Sequence, residues 1–198
     1  GSGCKYGGAM TEQGLRDYVK EITKGGKVTH FFMCPNAMCV NWDSKVMEPI
    51  WAAFDRPGAK THAWQEGVKK IHDAGIDMYA VWVEESRKQG ISPWLTIRMN
   101  DVHCADDPND GMHSKFWREH PEFRRNANKK VSGGWTAFAL DYSHKEVRDY
   151  WTAFLGEAFA RYDVDGVELD WLRFADHLPP GKEREHSWCL DEVVKAAR

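Results

Sequence analysis

The sequence predicts an α/β fold built on a barrel of parallel strands, and three observations predict it. Helical and strand-like patterns alternate along the chain, as they do when parallel strands are joined by crossover helices. The strand-like runs carry one oily face and one face that turns polar toward the C-terminal end. A flat sheet sandwiched between helices would be oily on both faces, whereas barrel strands pack outward on helices and meet solvent at the C-terminal mouth. Finally, a long polar segment, 101–134, follows one strand, and such loops inside compact domains are usually functional.

The elements follow in order. "TEQGLRDYVKEITKGG" opens on the capping candidate Thr11, repeats Leu15, Tyr18, Val19 and Ile22 at helical spacing, and stops at Gly25. "KVTHFFMCPN" is rich in Val, Phe and Thr and reads as a strand ending near Pro35, followed by a loop through "NWDSKVMEPIW". "WQEGVKKIHDAG" and "DMYAVWVEESRKQG" read as helices closed by glycine, with Asp77 as a cap. "ISPWLTIRMND" is a second strand and "GWTAFALDY" a third. Within the polar segment, "SKFWREH" reads as one short helix. After the third strand, Ser143 and Glu146 in "SHKE" fit a capping box. Val147, Tyr150, Trp151, Phe154, Leu155, Ala158 and Phe159 then form a broad apolar stripe. "DVDGVELDWLRF" is the fourth strand and "EREHSWCLDEVVKAAR" one last helix.

Composition narrows the function. The 198 residues suit one sizeable domain, and 42% hydrophobic with 29% charged residues is a globular balance. A net charge of −3 supplies no basic field for a phosphate backbone, so no nucleic-acid partner is expected. No apolar run approaches the roughly 20 residues of a membrane helix. Ten Trp is a high count that hints at sugar stacking, although most must fill the core. The five Cys form no CxxC pair, and Cys34 and Cys39 in "CPNAMC" read as free thiols.

Side-chain parity locates the chemistry. On the fourth strand Val167, Leu169 and Trp171 oppose Glu168 and Asp170; on the second, Leu95, Ile97 and Met99 oppose Thr96, Arg98 and Asn100. The third sets Phe138 and Leu140 against Ala139 and Asp141. On the first strand His30, Phe32, Cys34 and Asn36 share a face. Arg98, Asn100, Asp141, Glu168 and Asp170 are therefore expected at one mouth, under the 101–134 segment.

These residues resemble a known family. "ALDYSHKEVRDYW" followed by "RYDVDGVELDWLRF" is similar to the glycoside-hydrolase-10-like glycosyl hydrolases of bacteria, TIM-type (β/α)₈ barrels whose strand reads D-G-[IV]-x-[LF]-D-[YW]-[IL]-R-[YF]; here it is Asp165 to Phe174. Chitinases share the D-G-x-x-x-D frame but place a catalytic Glu where this chain has Leu172. The resemblance implies hydrolysis of a poly- or oligosaccharide in a secreted or periplasmic setting. A full barrel takes about 250 residues, so four strands imply about its first half, a single truncated domain. Such a piece is expected to be inactive alone and to associate through open strand edges.

Glycosidases need two carboxyl groups flanking the bond. Asp170 is the leading catalytic candidate, against a structural ion pair with Arg173. Glu168 follows, one pleat deeper, against a bond to Arg98. Asp141 is third, against a helix-capping role. Arg98, Asn100, Asp101, His103, Arg173 and Asn36 are the expected sugar-binding residues, against turn-making by Asn100 and Asp101. His103, Cys104, Asp106, Asp107 and His113 match no tight zinc spacing, so no metal and no cofactor is expected. A non-hydrolytic carbohydrate-binding barrel and a metal-dependent sugar isomerase are the alternatives.

Overall fold

The computed structural model describes residues 10–126 and 135–198. The first described element is helix α1 (Glu12–Thr23), which Thr11 caps by accepting the Gly14 N–H at 3.1 Å. Strand β1 is His30–Met33. A 3-10 turn at Ile50–Asp55 leads to α2 (Ala63–Asp73) and α3 (Met78–Lys88). Asp77 caps α3, its Oδ1 accepting from Tyr79 at 3.1 Å and Ala80 at 3.2 Å. Strand β2 (Ser92–Arg98) and the short helix α4 (Lys115–Glu119) follow. Then come α5 (Lys145–Arg161), β3 (Gly166–Asp170), α6 (Glu183–His186) and α7 (Trp188–Ala196). Among the described residues no helix is long and apolar enough to cross a membrane.

The sheet is three-stranded and wholly parallel, in the order β1-β2-β3. Two crossovers return the chain to it, and the alternation of helix and strand in the sequence is the cause. Met33 on β1, Leu95 and Ile97 on β2, and Met99 just past the end of β2 are buried on the helix side. Each such side chain stabilises by roughly 2 kcal/mol when fully buried. Leu15 and Val19 of α1, Val81 and Val83 of α3, and Val147, Trp151, Phe154 and Leu155 of α5 supply the other side of that core. Trp42 reaches in from a loop and stacks on Phe154 at 5.6 Å.

The other face is far less covered. His30, Phe32 and Glu168 are exposed, while Trp94, Thr96, Arg98 and Asp170 are half-buried. Register aligns Phe32 with Trp94, Trp94 with Gly166, Thr96 with Glu168, and Arg98 with Asp170. Gly166 is a requirement of that alignment. A Cβ there would meet the Trp94 indole at 2.4 Å, so only glycine lets the ring lie across β3.

Three expectations need correction. "GWTAFALDY" is not a strand: it forms a 3-10 turn at Trp135–Phe138, and its backbone pairs with 123–126 instead. Arg125 N–H donates to Ala139 O at 2.9 Å and Asp141 N–H to Phe123 O at 2.8 Å, which leaves no ladder for the sheet. Ser143 is not a capping-box residue either; α5 begins after His144, and no side chain caps it. The last helix is two, broken at Ser187.

Candidate active site

The C-terminal ends of β1, β2 and β3 gather a polar cluster, and sequence parity explains why. Arg98 and Asp170 end neighbouring strands in register, facing the same way. Just beyond β2 the chain turns, and Asp101 is buried below the turn. Its carboxylate accepts the Arg98 guanidinium at 3.1 Å, the His103 N–H at 2.9 Å and the His103 Nδ1 at 2.8 Å. Burial pushes the Asp101 pKa up, but the His103 hydrogen bonds and the Arg98 charge outweigh it and leave the pKa lowered.

His103 carries the chain of contacts onward. Its Nε2 lies 2.9 Å from an Arg173 nitrogen. Arginine can only donate and a carboxylate only accept, so this pair of partners fits the tautomer with its proton on Nδ1. Phe174 packs edge-on to the same ring at 5.2 Å. Asp170 accepts backbone N–H groups from Leu172 at 3.0 Å and Arg173 at 2.8 Å, both through Oδ1. Its Oδ2 makes no hydrogen bond among the described residues, and neither does the Glu168 carboxylate. Asn36 braces the floor, donating to Arg98 O at 2.9 Å and accepting Arg98 N–H at 3.2 Å.

The sequence candidates thus divide. Asn36, Arg98, Asp101, His103, Asp170 and Arg173 come together. Asp170 and Arg173 do not form the side-chain ion pair weighed above, because the guanidinium turns to His103. Glu168 does not pair with Arg98, which Asp101 holds. Asn100 is buried with its amide engaged: it donates to Leu140 O at 2.8 Å and Asp176 O at 3.1 Å, and accepts Leu140 N–H at 3.0 Å. It stands out of the cleft as a latch. Asp141 is buried and accepts the Ser143 N–H at 2.8 Å in the turn before α5, and it does not cap that helix.

The polar segment behaves as two parts. Its start brings His103 to the mouth, while α4 leans on α5, Phe116 stacking on Tyr150 at 4.1 Å. Residues 127–134 lie outside the described part.

Beside the cluster a cleft of about 570 Å³ runs past the edge of β1, within the roughly 300–1,000 Å³ of small-molecule sites. Arg98, His103 and Arg173 line it together with Phe32, Trp64 and Trp82. The two Trp were legible only as part of a high Trp count, since their place depends on how α2 and α3 dock.

Of the metal-type residues considered from sequence, only Cys104 falls in a compact group among the described residues, with His62 and Asp110. Cys34, Cys39, Cys104 and Cys189 are all free thiols.

Comparison with known proteins yields no match among curated sequences. The glycosyl hydrolase-like 10 family, by contrast, matches residues 52–186. That span contains β2, β3 and the turn bearing Asp101 and His103, and it is more than half the chain. The chain belongs to the glycosyl hydrolase-like 10 family.

Proposed function

We propose that the chain is a glycoside hydrolase acting on a poly- or oligosaccharide, and that its sheet is an arc of a (β/α)₈ barrel. The observation that carries this reading is a pair of carboxylates on one face of β3 that each keep oxygen free among the described residues: Glu168 both of its oxygens, Asp170 its Oδ2. Glu168 and Asp170 stand one pleat apart, about 6.6 Å along the strand, a spacing of the order glycosidase carboxyl pairs use. Asp170 is fixed through Oδ1 by two N–H donors and keeps Oδ2 for a sugar oxygen or proton. Arg98, Arg173 and His103 would grip hydroxyls, and Phe32 and the Trp residues of the cleft would stack on sugar faces.

The barrel reading rests on the sheet itself. The core-side face is oily and the opposite face carries Arg98, Glu168 and Asp170, which suits strands around an axis open at its C-terminal mouth. Both outer edges, on β1 and β3, lack a further strand among the described residues. In this reading, closing strands come from outside these residues, and the half-formed mouth turns over poorly alone.

A glycan panel read by reducing-end release tests the proposal, with the whole protein and its Asp170→Asn and Glu168→Gln variants. Cleavage lost in Asp170→Asn supports it. Glycan binding with no cleavage by any form would replace it with a carbohydrate-binding module.

A further inference from the structure

Beside the mouth, three residues from two loops converge. His62 precedes α2, Cys104 sits in the turn after β2, and Asp110 lies further along the polar segment. One ligand atom from each falls within 4.8 Å of the others. His62 Nε2 is 3.0 Å from Asp110 Oδ2. A tetrahedral ion with bonds near 2.0–2.3 Å holds its ligand atoms roughly 3.3–3.8 Å apart, so the group needs only small adjustments to close around one.

The environment of Asp110 points the same way. Its residue is 4% exposed, and a buried carboxylate is costly without a cation. The two nearby cations are turned elsewhere. Arg56 donates to the Asp110 and His113 backbone carbonyls, and Lys60 pairs with Asp107 at 2.5 Å. Among the described residues, the Asp110 side chain meets only His62, the Met112 N–H and the Cys104 thiol.

The scaffold holds this arrangement independently of any ion. Lys60 N–H donates to Asn109 O at 2.8 Å and Gly111 N–H to Lys60 O at 2.9 Å. Fully buried Gln65 ties the two loops again, accepting the His62 N–H at 2.7 Å and donating to Gly111 O at 3.2 Å. Gly111 permits the approach, since a Cβ would stand 2.8 Å from Lys60 O. Cys104 is the only non-glycine among the described residues at positive φ, +57°, a conformation held at some cost.

We infer that His62, Cys104 and Asp110 form a zinc site, with water as the fourth ligand. A thiolate with an imidazole and one carboxylate selects a borderline ion over magnesium or calcium, which take oxygen. His62 is partly exposed, which leaves solvent access to the open position. On binding, the thiol proton leaves to solvent and the sulfur takes the metal. The ion would clip the start of α2 to the turn that presents His103, one residue from Cys104.

The test is cobalt and zinc titration of the reduced, chelator-stripped chain. One cobalt per chain should produce a thiolate charge-transfer band and the visible bands of a tetrahedral ion, and zinc should displace it. Cys104→Ser should abolish the charge-transfer band and weaken zinc at least about a hundredfold, while Cys34→Ser should leave both intact. His62→Gln and Asp110→Asn should each weaken zinc about tenfold or more, and serve if Cys104→Ser folds poorly. Zinc should raise the melting temperature of the parent and not of Cys104→Ser. A folded chain with no thiolate–cobalt band, or one whose zinc affinity survives all three substitutions, overturns the inference.

Discussion

Gly166→Ala should destabilise the protein through a single side chain, the indole of Trp94. The added methyl would stand 2.4 Å from Cη2 and Cζ3 and 2.6 Å from Cζ2, against an optimal carbon separation of about 3.5–4.0 Å. The overlap of roughly 1 Å falls on a rigid ring rather than on the tip of a flexible chain, so the ring must swing away. That breaks its packing on Phe32 at 5.5 Å and its Nε1 hydrogen bond to Ser92 at 2.9 Å. Overpacking of this kind costs about 1–3 kcal/mol, the lost hydrogen bond about 1, and removing glycine entropy returns about 0.4–1. A net cost of about 2 kcal/mol lowers the melting temperature by roughly 4–8 °C in a domain of this size. Thermal unfolding followed by circular dichroism reads it directly. In a Trp94→Ala background the same substitution should be close to neutral, because nothing remains to be displaced. A melting temperature within a degree of the parent, or an equal loss in both backgrounds, would refute the steric account.

Other substitutions test other links. Asp170→Asn keeps the Oδ1 acceptor for Leu172 and Arg173, so folding should hold within a few degrees while glycan turnover in the whole protein falls at least about a hundredfold. An unchanged rate per folded molecule counts against the proposed role. Asp101 has a lowered folded pKa, so its stabilisation is present above the unfolded value near 3.9 and is lost as pH falls through the folded one. Asp101→Asn should therefore lower stability at neutral pH and flatten the acid limb of the stability profile below about pH 4; an unaltered limb refutes it. Asp77→Ala removes the α3 cap and the acceptor of the Tyr162 O–H, at 3.0 Å, and should cost about 2–3 kcal/mol by urea denaturation. The outer edges of β1 and β3, which pair with no further strand among the described residues, should drive self-association, and Phe32→Lys, which puts charge beside the β1 edge at a residue 46% exposed, should reduce it in light scattering. A monodisperse parent chain removes that expectation.

Much of this architecture was written in local pattern. The α1 and α5 stripes, the glycines closing α2 and α3, the Thr11 and Asp77 caps, and the β2 and β3 alternation are all signals that a short window carries. Parity also brought Arg98 and Asp170 to one face, and the loop following β2 brought Asp101 and His103 to them. What was not legible depends on partners distant in sequence. "GWTAFALDY" has strand composition, but 123–126 takes its hydrogen bonds and Asn100 takes those of Leu140. Arg173 was read as a sugar-binding residue, with an ion pair to Asp170 as the alternative, and its guanidinium meets a histidine 70 positions away. His62 and Asp110 had no spacing signal, since their meeting depends on the Lys60–Gly111 pairing.

The Asn100 latch has a consequence for how the segment after β2 can vary. A strand joined to a sheet by a ladder must keep its register, because a slip of one residue turns every side chain over. One amide gripping the N–H and C=O of one residue imposes no such phase. Residues can be gained or lost between Asn100 and Leu140 while the anchor, and the hydrophobic layer beneath it, stays where it is. The sheet thereby presents a fixed frame on one side of that amide and a length-tolerant segment on the other. Variation in what the mouth accepts can accumulate there without disturbing the pairing of β2 with β3.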